Sequence, residues 1–266
     1  MQAAHFTRKA RVMFSRLKKV AAVDQDGAFQ SVSDKDKELA LSPHDHVNHL
    51  EPDDAGPQWA DLNGLSCTVG TDDGNFRVSG ELGGHPWKAE RAPASRDYLV
   101  GGELRGRAEI GISAQVTVVI MNRALKELLE KRAYALYTDT LETQVSPVLT
   151  EEMRWLALYP EAGWDSLTDA FFHRYAILAE RRAHAMSWLT PALADLLMAW
   201  PDPAPDNTVP FILMLMRGKA HLRMQALPGN AAADLPALIH AVKLLVTASG
   251  LAMTAFPDET PGSLKK

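Results

Sequence analysis

A chain of 266 residues, 46% hydrophobic and 23% charged, holds enough apolar material for one large domain or two small ones and has the composition of a soluble globular protein. Its single cysteine, Cys67, excludes an internal disulfide and fits a reducing compartment. The net charge of −5 is unevenly spread: residues 1–23 carry +6, residues 24–56 carry −7, and the body from Pro57 carries −4.

That mildly acidic body argues against broad nucleic-acid binding through phosphate neutralisation. Apolar runs such as Pro210 to Met216 fall far short of the ~20 residues that span a bilayer, and no signal-peptide pattern opens the chain. The expected location is the cytoplasm.

In chain order, residues 1–23 read as a basic amphipathic arm. Phe14 and Leu17 share an apolar stripe with Val12, Met13, Val20 and Ala21, and Arg8, Arg11, Lys18 and Lys19 lie mostly opposite, with Arg16 among the basic residues. Three readings stay open: a frayed leader or helix docked on the protein's own acidic surface, a contact with an anionic membrane surface, and a partner or nucleic-acid contact. The candidate contact residues are Arg11, Phe14, Arg16, Leu17, Lys18 and Lys19. Residues 24–56 have few large apolar side chains and read as an acidic flexible linker. His44, His46 and His49 stand beside Asp45 within it. Their spacing matches no structural zinc pattern and no thiolate is near, so solvated histidines are expected and no metal site is assigned.

A turn of helix at Gln58 to Leu62 precedes a β-rich stretch over residues 57–140. Cys67 to Gly70 makes a short strand, and Thr71 to Asn75 is a turn cluster. Phe76, Val78 and Gly80 alternate with polar neighbours, and Gly83-Gly84 offers a two-residue hairpin turn into His85 to Ala92. Leu104, Ala108, Ile110 and Ile112 alternate with Arg105, Arg107 and Glu109, which is the pattern of a half-buried strand. Val116 to Met121 is apolar on both faces. Asn122 is placed to cap a covering helix with a leucine stripe at Leu125, Leu128, Leu129 and Leu136.

Residues 141–256 read as an α+β half. Thr150 caps a helix through Glu151 and Glu152 that stops before Pro160. Arg174 to Ala179 is a strand, a helical stretch runs through Arg182 and Trp188, and Thr190-Pro191 starts a helix ending at Pro201. Phe211 to Met216, the turn Arg217-Gly218 and an alternating return strand form a hairpin; Asp234 caps a long helix that is apolar nearly all round. The tail 257–266 reads as disordered. Trp155, Trp164, Trp188 and Trp200 belong to a dense run of aromatics, read as core in preference to a ligand pocket.

Chemical motifs are absent: there is no G-x-S-x-G, H-E-x-x-H, G-x-G-x-x-G or C-x-x-C. Arg217-Gly218-Lys219 fails as a phosphate loop, with Leu213 where the upstream glycine belongs and Ala220 in place of Ser/Thr. No catalytic residue and no cofactor is assigned. One constellation stands out. Lys219, His221 and Arg223 share one strand face, and Arg105 and Arg107 share another. If those strands adjoin, they build a cationic sheet face for an anionic ligand, an acidic partner segment or the chain's own residues 24–56. The plain alternative is a solvated face whose charges discourage edge pairing.

The stretch Arg174-Tyr-Ala-Ile-Leu-Ala-Glu, followed by Trp188-Leu-Thr-Pro-Ala-Leu, resembles segments of uncharacterised bacterial proteins of unknown function. The resemblance covers a minority of the chain and rests on a structural motif, so it implies no activity. The expectation is an α+β protein with antiparallel sheet(s) covered by helices, in two packed β-plus-helix halves. Its expected function is a non-enzymatic interaction or adaptor protein, whose partner is another protein or a second copy. The alternatives are a small-ligand binder or enzyme with a pocket between the halves near the aromatics, and a peripheral membrane protein acting through the arm.

Overall fold

The computed structural model describes residues 66–69, 76–143, 150–202, 204–226 and 231–257. The arm, the acidic stretch with its histidines, the helical turn at Gln58 to Leu62, the turn at Thr71 to Asn75 and the tail beyond Pro257 lie outside them. Among the described residues the chain forms one sheet of eight strands in the order β1-β2-β3-β4-β8-β7-β5-β6, with every neighbouring pair antiparallel. The strands are β1 (Ser66–Val69), β2 (Phe76–Leu82), β3 (His85–Pro93), β4 (Gly102–Glu109), β5 (Val118–Asn122), β6 (Tyr175–Ala179), β7 (Phe211–Met216) and β8 (Lys219–Ala226). The helices are α1 (Arg123–Thr143), α2 (Glu151–Leu158), α3 (Asp169–Arg174), α4 (Arg182–Trp188), α5 (Pro191–Met198) and α6 (Ala231–Ala255). The class is α+β. A meander, β1 to β4, meets the other four strands edge to edge along β4 and β8.

Local chemistry sets most of these elements. The β2–β3 hairpin turns on Gly83 and Gly84, both at positive φ. Thr150, Thr168 and Thr190 each accept a hydrogen bond from the backbone N–H three residues on, capping α2, α3 and α5. In β8 the alternation is complete: Ala220, Leu222, Met224 and Ala226 are buried, and the residues between them are half-buried.

Two sequence expectations shift. Asn122 does not cap α1; as the last residue of β5 it spends both ends of its amide on the neighbouring strand β7 and the loop that enters it. Its Nδ2 donates to the Asn207 carbonyl at 2.8 Å, and its Oδ1 accepts from the Phe211 N–H at 3.0 Å. The last helix begins at Ala231, before Asp234. The stretch Pro236–Ala255 is long and apolar enough to cross a membrane, although Lys243 breaks its apolar run. In the fold it is a core helix, with Leu238, Ala241, Val242, Leu244, Leu245, Ala248 and Ala252 buried.

The core has two layers. On one face of the sheet α6 packs with α4 and α5 over Val78, Trp87, Leu104, Leu213 and Leu222. Gly106 lets α6 come close, because a Cβ there would meet Leu245 Cδ2 at 2.7 Å. On the opposite face α1, α2 and the loop residues Tyr98 and Leu99 cover Val119, Met121, Leu178 and Ile212. The β6 edge is closed by its own chain: Ala162 N–H donates to the Ile177 carbonyl, and Ala179 N–H to the Pro160 carbonyl.

Candidate functional site

Antiparallel register places cross-strand partners on one face of the sheet. One row runs Arg77, Glu90, Arg105, Arg223, Ile212 and Met121 across β2, β3, β4, β8, β7 and β5. The next runs Ser79, Lys88, Arg107, His221, Met214 and Val119. In both rows the chemistry changes from charged or polar to apolar between β8 and β7. The apolar end lies under α1 and α2. At the charged end the start of α2 and the loop before β4 reach Arg223 and Glu103, while Arg77, Lys88, Arg105 and Arg107 stay exposed among the described residues.

The structure thus brings Arg105, Arg107, Lys219, His221 and Arg223 together. β4 pairs β8 with Arg105 opposite Arg223, Arg107 opposite His221 and Glu109 opposite Lys219. These strands stand fourth and fifth of eight, so their charges do not guard an exposed edge. Arg11, Phe14, Arg16, Leu17, Lys18 and Lys19 fall outside the described residues.

Two arginines directly opposite one another repel, and three buried carboxylates compensate. Glu90 accepts from Arg105 Nε at 2.6 Å and from Arg77 Nε at 2.7 Å. Glu103 accepts from Ser95 Oγ at 2.9 Å and Arg105 Nη1 at 3.3 Å, with Arg223 Nε 3.6 Å away. Glu152, at the start of α2, accepts on one oxygen from Arg96 Nε at 2.7 Å, Arg223 Nη1 at 3.0 Å and the Tyr98 hydroxyl at 3.2 Å. Arg107 Nε donates to Glu109 at 2.9 Å, and Lys219 lies 3.3 Å from the same carboxylate.

The charges are layered. Side chains of Arg77, Lys88, Arg105 and Arg107 are 55, 49, 43 and 46% exposed, while those of Glu90 and Glu103 are 8 and 0% exposed. Six cations (Arg77, Lys88, Arg105, Arg107, Lys219, Arg223) stand on this face against five carboxylates, Glu81, Glu90, Glu103 and Glu109 from the strands and Glu152 from α2, and Glu90 and Glu103 lie beneath the cations. An incoming group therefore meets the basic layer first. The buried acids also hold the guanidinium groups in place, which lowers the entropy cost of binding a carboxylate.

Protonation follows from the same layering. Burial would raise the Glu90 carboxyl, but the hydrogen bonds from Arg105 and Arg77, with the charges of Arg105 and Lys88, outweigh it and hold it below its ordinary value. Burial, then the charges of Arg107, Lys219 and Arg223, push the His221 imidazole down to about 4 against the opposing pull of Glu109. His221 is therefore neutral near pH 7. Burial and then the Glu152 charge raise Tyr98, so its hydroxyl stays a donor.

Sequence reasoning missed Arg77, Glu90, Arg96, Tyr98, Glu103 and Glu152. Glu103 shares the parity of Arg105 and Arg107 and was legible as a face-mate. Glu90 and Glu152 needed the pairing of distant segments. The tryptophans are core: Trp188 is fully buried with Nε1 donating to the Ala248 carbonyl at 2.9 Å, and Trp200 Nε1 donates to the Tyr175 hydroxyl at 2.9 Å. Beside Trp200, a cleft edged by Asn122, Arg174, Tyr175 and Asp206 leaves only about 10 Å³ of cavity, room for about one water and far below the ~300–1,000 Å³ of ligand pockets.

Fold and site together define an α+β protein with one antiparallel sheet and an open, charge-layered face. No family model matches the chain, and no curated protein matches it. Among solved structures it is similar to the crystal structure of the mycobacterial trehalose monomycolate transport factor A, TtfA, at 9% identity and a TM-score of 0.42, covering 77% of this chain and 96% of that one.

Proposed function

We propose that this chain is a non-enzymatic interaction protein that docks an acidic polypeptide segment on the open face of β2, β3, β4 and β8. The observation that carries the reading is the charge layering: exposed cations on β2, β3 and β4 held over buried carboxylates, on a mid-sheet face that the start of α2 covers only at Arg223 among the described residues. Charge-assisted hydrogen bonds from guanidinium forks are the strong and oriented kind, so such a layer selects carboxylates. The lone thiol suits work in the cytoplasm.

A fluorescent mixed Asp/Glu peptide, titrated at low and at high salt, tests the reading by anisotropy. Binding that weakens with salt is expected. The triple change Lys88→Gln, Arg107→Gln and Lys219→Gln should weaken it at least tenfold, and it leaves every contact of the buried acids with Arg77, Arg96, Arg105 and Arg223 in place. Equal affinity in the triple variant, or no binding by the parent and by a chain lacking residues 1–56, would sink the proposal.

A further inference from the structure

The described fold begins at β1, beside β2, on the flank of the open face. Immediately upstream the sequence places nine acids and two lysines within residues 24–56. We infer that this acidic segment occupies the basic layer of its own chain and competes there with external acidic partners. The inference rests on the proposed docking function and names the face's resident occupant.

Reach permits it. From Gly56 to Ser66 the ten intervening steps span up to ~33 Å when extended. Crossing from β1 to β8 takes four strand spacings, ~19 Å. The segment therefore reaches Arg77, Arg105, Arg107 and Lys219 with chain to spare. Chemistry also matches. The face offers charge and little apolar area, and the segment offers carboxylates and few large apolar side chains, so each supplies what the other can bind. Tethering raises the segment's local concentration to the millimolar range, so a contact that is weak between separate molecules becomes well populated within one. The rival partner for the segment is the +6 stretch at residues 1–23. That stretch lies on the segment's far side, and deleting it separates the two possibilities.

The test compares the parent chain with three variants: one with the nine acids of residues 24–56 changed to their amides, one lacking residues 1–23, and one carrying both changes. Two readouts are taken. The first is the Kd for the Asp/Glu peptide. Amide substitution should tighten it about tenfold, as expected when a tethered competitor at ~1 mM with a Kd near ~0.1 mM is removed. Deleting residues 1–23 alone should weaken or leave unchanged the external Kd. The second uses a nitroxide on Ser33→Cys in a Cys67→Ser background and reads line broadening at the amides of Arg105, Arg107 and His221. Broadening at low salt that vanishes with the amide substitutions supports docking in cis.

An unchanged peptide Kd together with absent broadening overturns the inference and leaves the docking function standing. Broadening with no binding of the external peptide, even in the amide variant, keeps the segment's place on the face and overturns both the competition and the docking function. Broadening that depends on protein concentration, with dimers in sedimentation velocity, overturns the cis assignment and gives the segment to a second copy.

Discussion

Glu152 shows how a single residue changes meaning between sequence and structure. As the second residue of a helix after a threonine cap, it looks like an ordinary dipole partner. In the fold it is buried and takes Arg96, Arg223 and Tyr98 on one oxygen, joining α2, the loop before β4 and strand β8. Glu152→Gln should therefore cost about 2–4 kcal/mol in urea denaturation, because it leaves two guanidinium groups short of a counter-charge; a shift under about 0.5 kcal/mol would show that the network carries little stability. The histidines make a second residue-scale prediction. Burial is the leading cause that pushes both His221 and His240 down to about 4. Each is neutral in the folded chain while an unfolded imidazole takes up a proton from about pH 6.5 downward, so the unfolded state binds more protons between those values. Stability should fall as pH drops from 6.5 to 4, with a slope approaching ~1.4 kcal/mol per pH unit for each histidine. His221→Gln and His240→Gln should each flatten that slope. Below about 4.5 the unfolded Glu90 takes up a proton that the folded one, held low by its arginines, does not, so its contribution is lost progressively as the pH falls further.

Among the elements, the β7–β8 hairpin is the one whose local chemistry is least comfortable. Arg217 and Gly218 both have positive φ, 54° and 74°, the pair that a two-residue turn of this twist requires. Glycine adopts that region freely, and arginine does not. Arg217→Asn should raise the urea midpoint by about 0.5–1 kcal/mol equivalent, since asparagine tolerates the left-handed region. Gly218→Ala should lower it by about 1–3 kcal/mol, because its Cβ would meet the Ile112 carbonyl oxygen at 2.9 Å as well as straining the backbone. The turn matters beyond stability. It sets the register that puts Lys219, His221 and Arg223 opposite Glu109, Arg107 and Arg105. A slip of one residue would turn all three into the α6 layer.

For the whole molecule, the decisive feature is that both groups of strands belong to one sheet. β4 and β8 pair along their full length, and α6 packs across β8, β4 and β2 on one side. Such a structure should unfold as a unit. Tryptophan fluorescence and far-UV circular dichroism should trace coincident urea transitions, whereas two separated midpoints would show that the β1–β4 meander melts by itself. Gly106→Ala, at the contact of α6 with β4, should lower the common midpoint by about 1–3 kcal/mol through overpacking against Leu245.

Period and punctuation in the sequence determined the α+β class, the short strands, the hairpin turns at Gly83-Gly84 and Arg217-Gly218, the caps at Thr150 and Thr190 and the two faces of β8. These are local: each depends on residues within a few positions, and backbone geometry translates them directly. Register between distant strands was decided only by tertiary structure. Pairing β4 with β8 closes a loop of about a hundred residues, a choice made by the total burial of both core layers and not by any short stretch of chain. That pairing turned two separate basic stripes into one layer over Glu90 and Glu103, and gave the charged face its position in the middle of the sheet, where Arg223 meets Glu152 of α2.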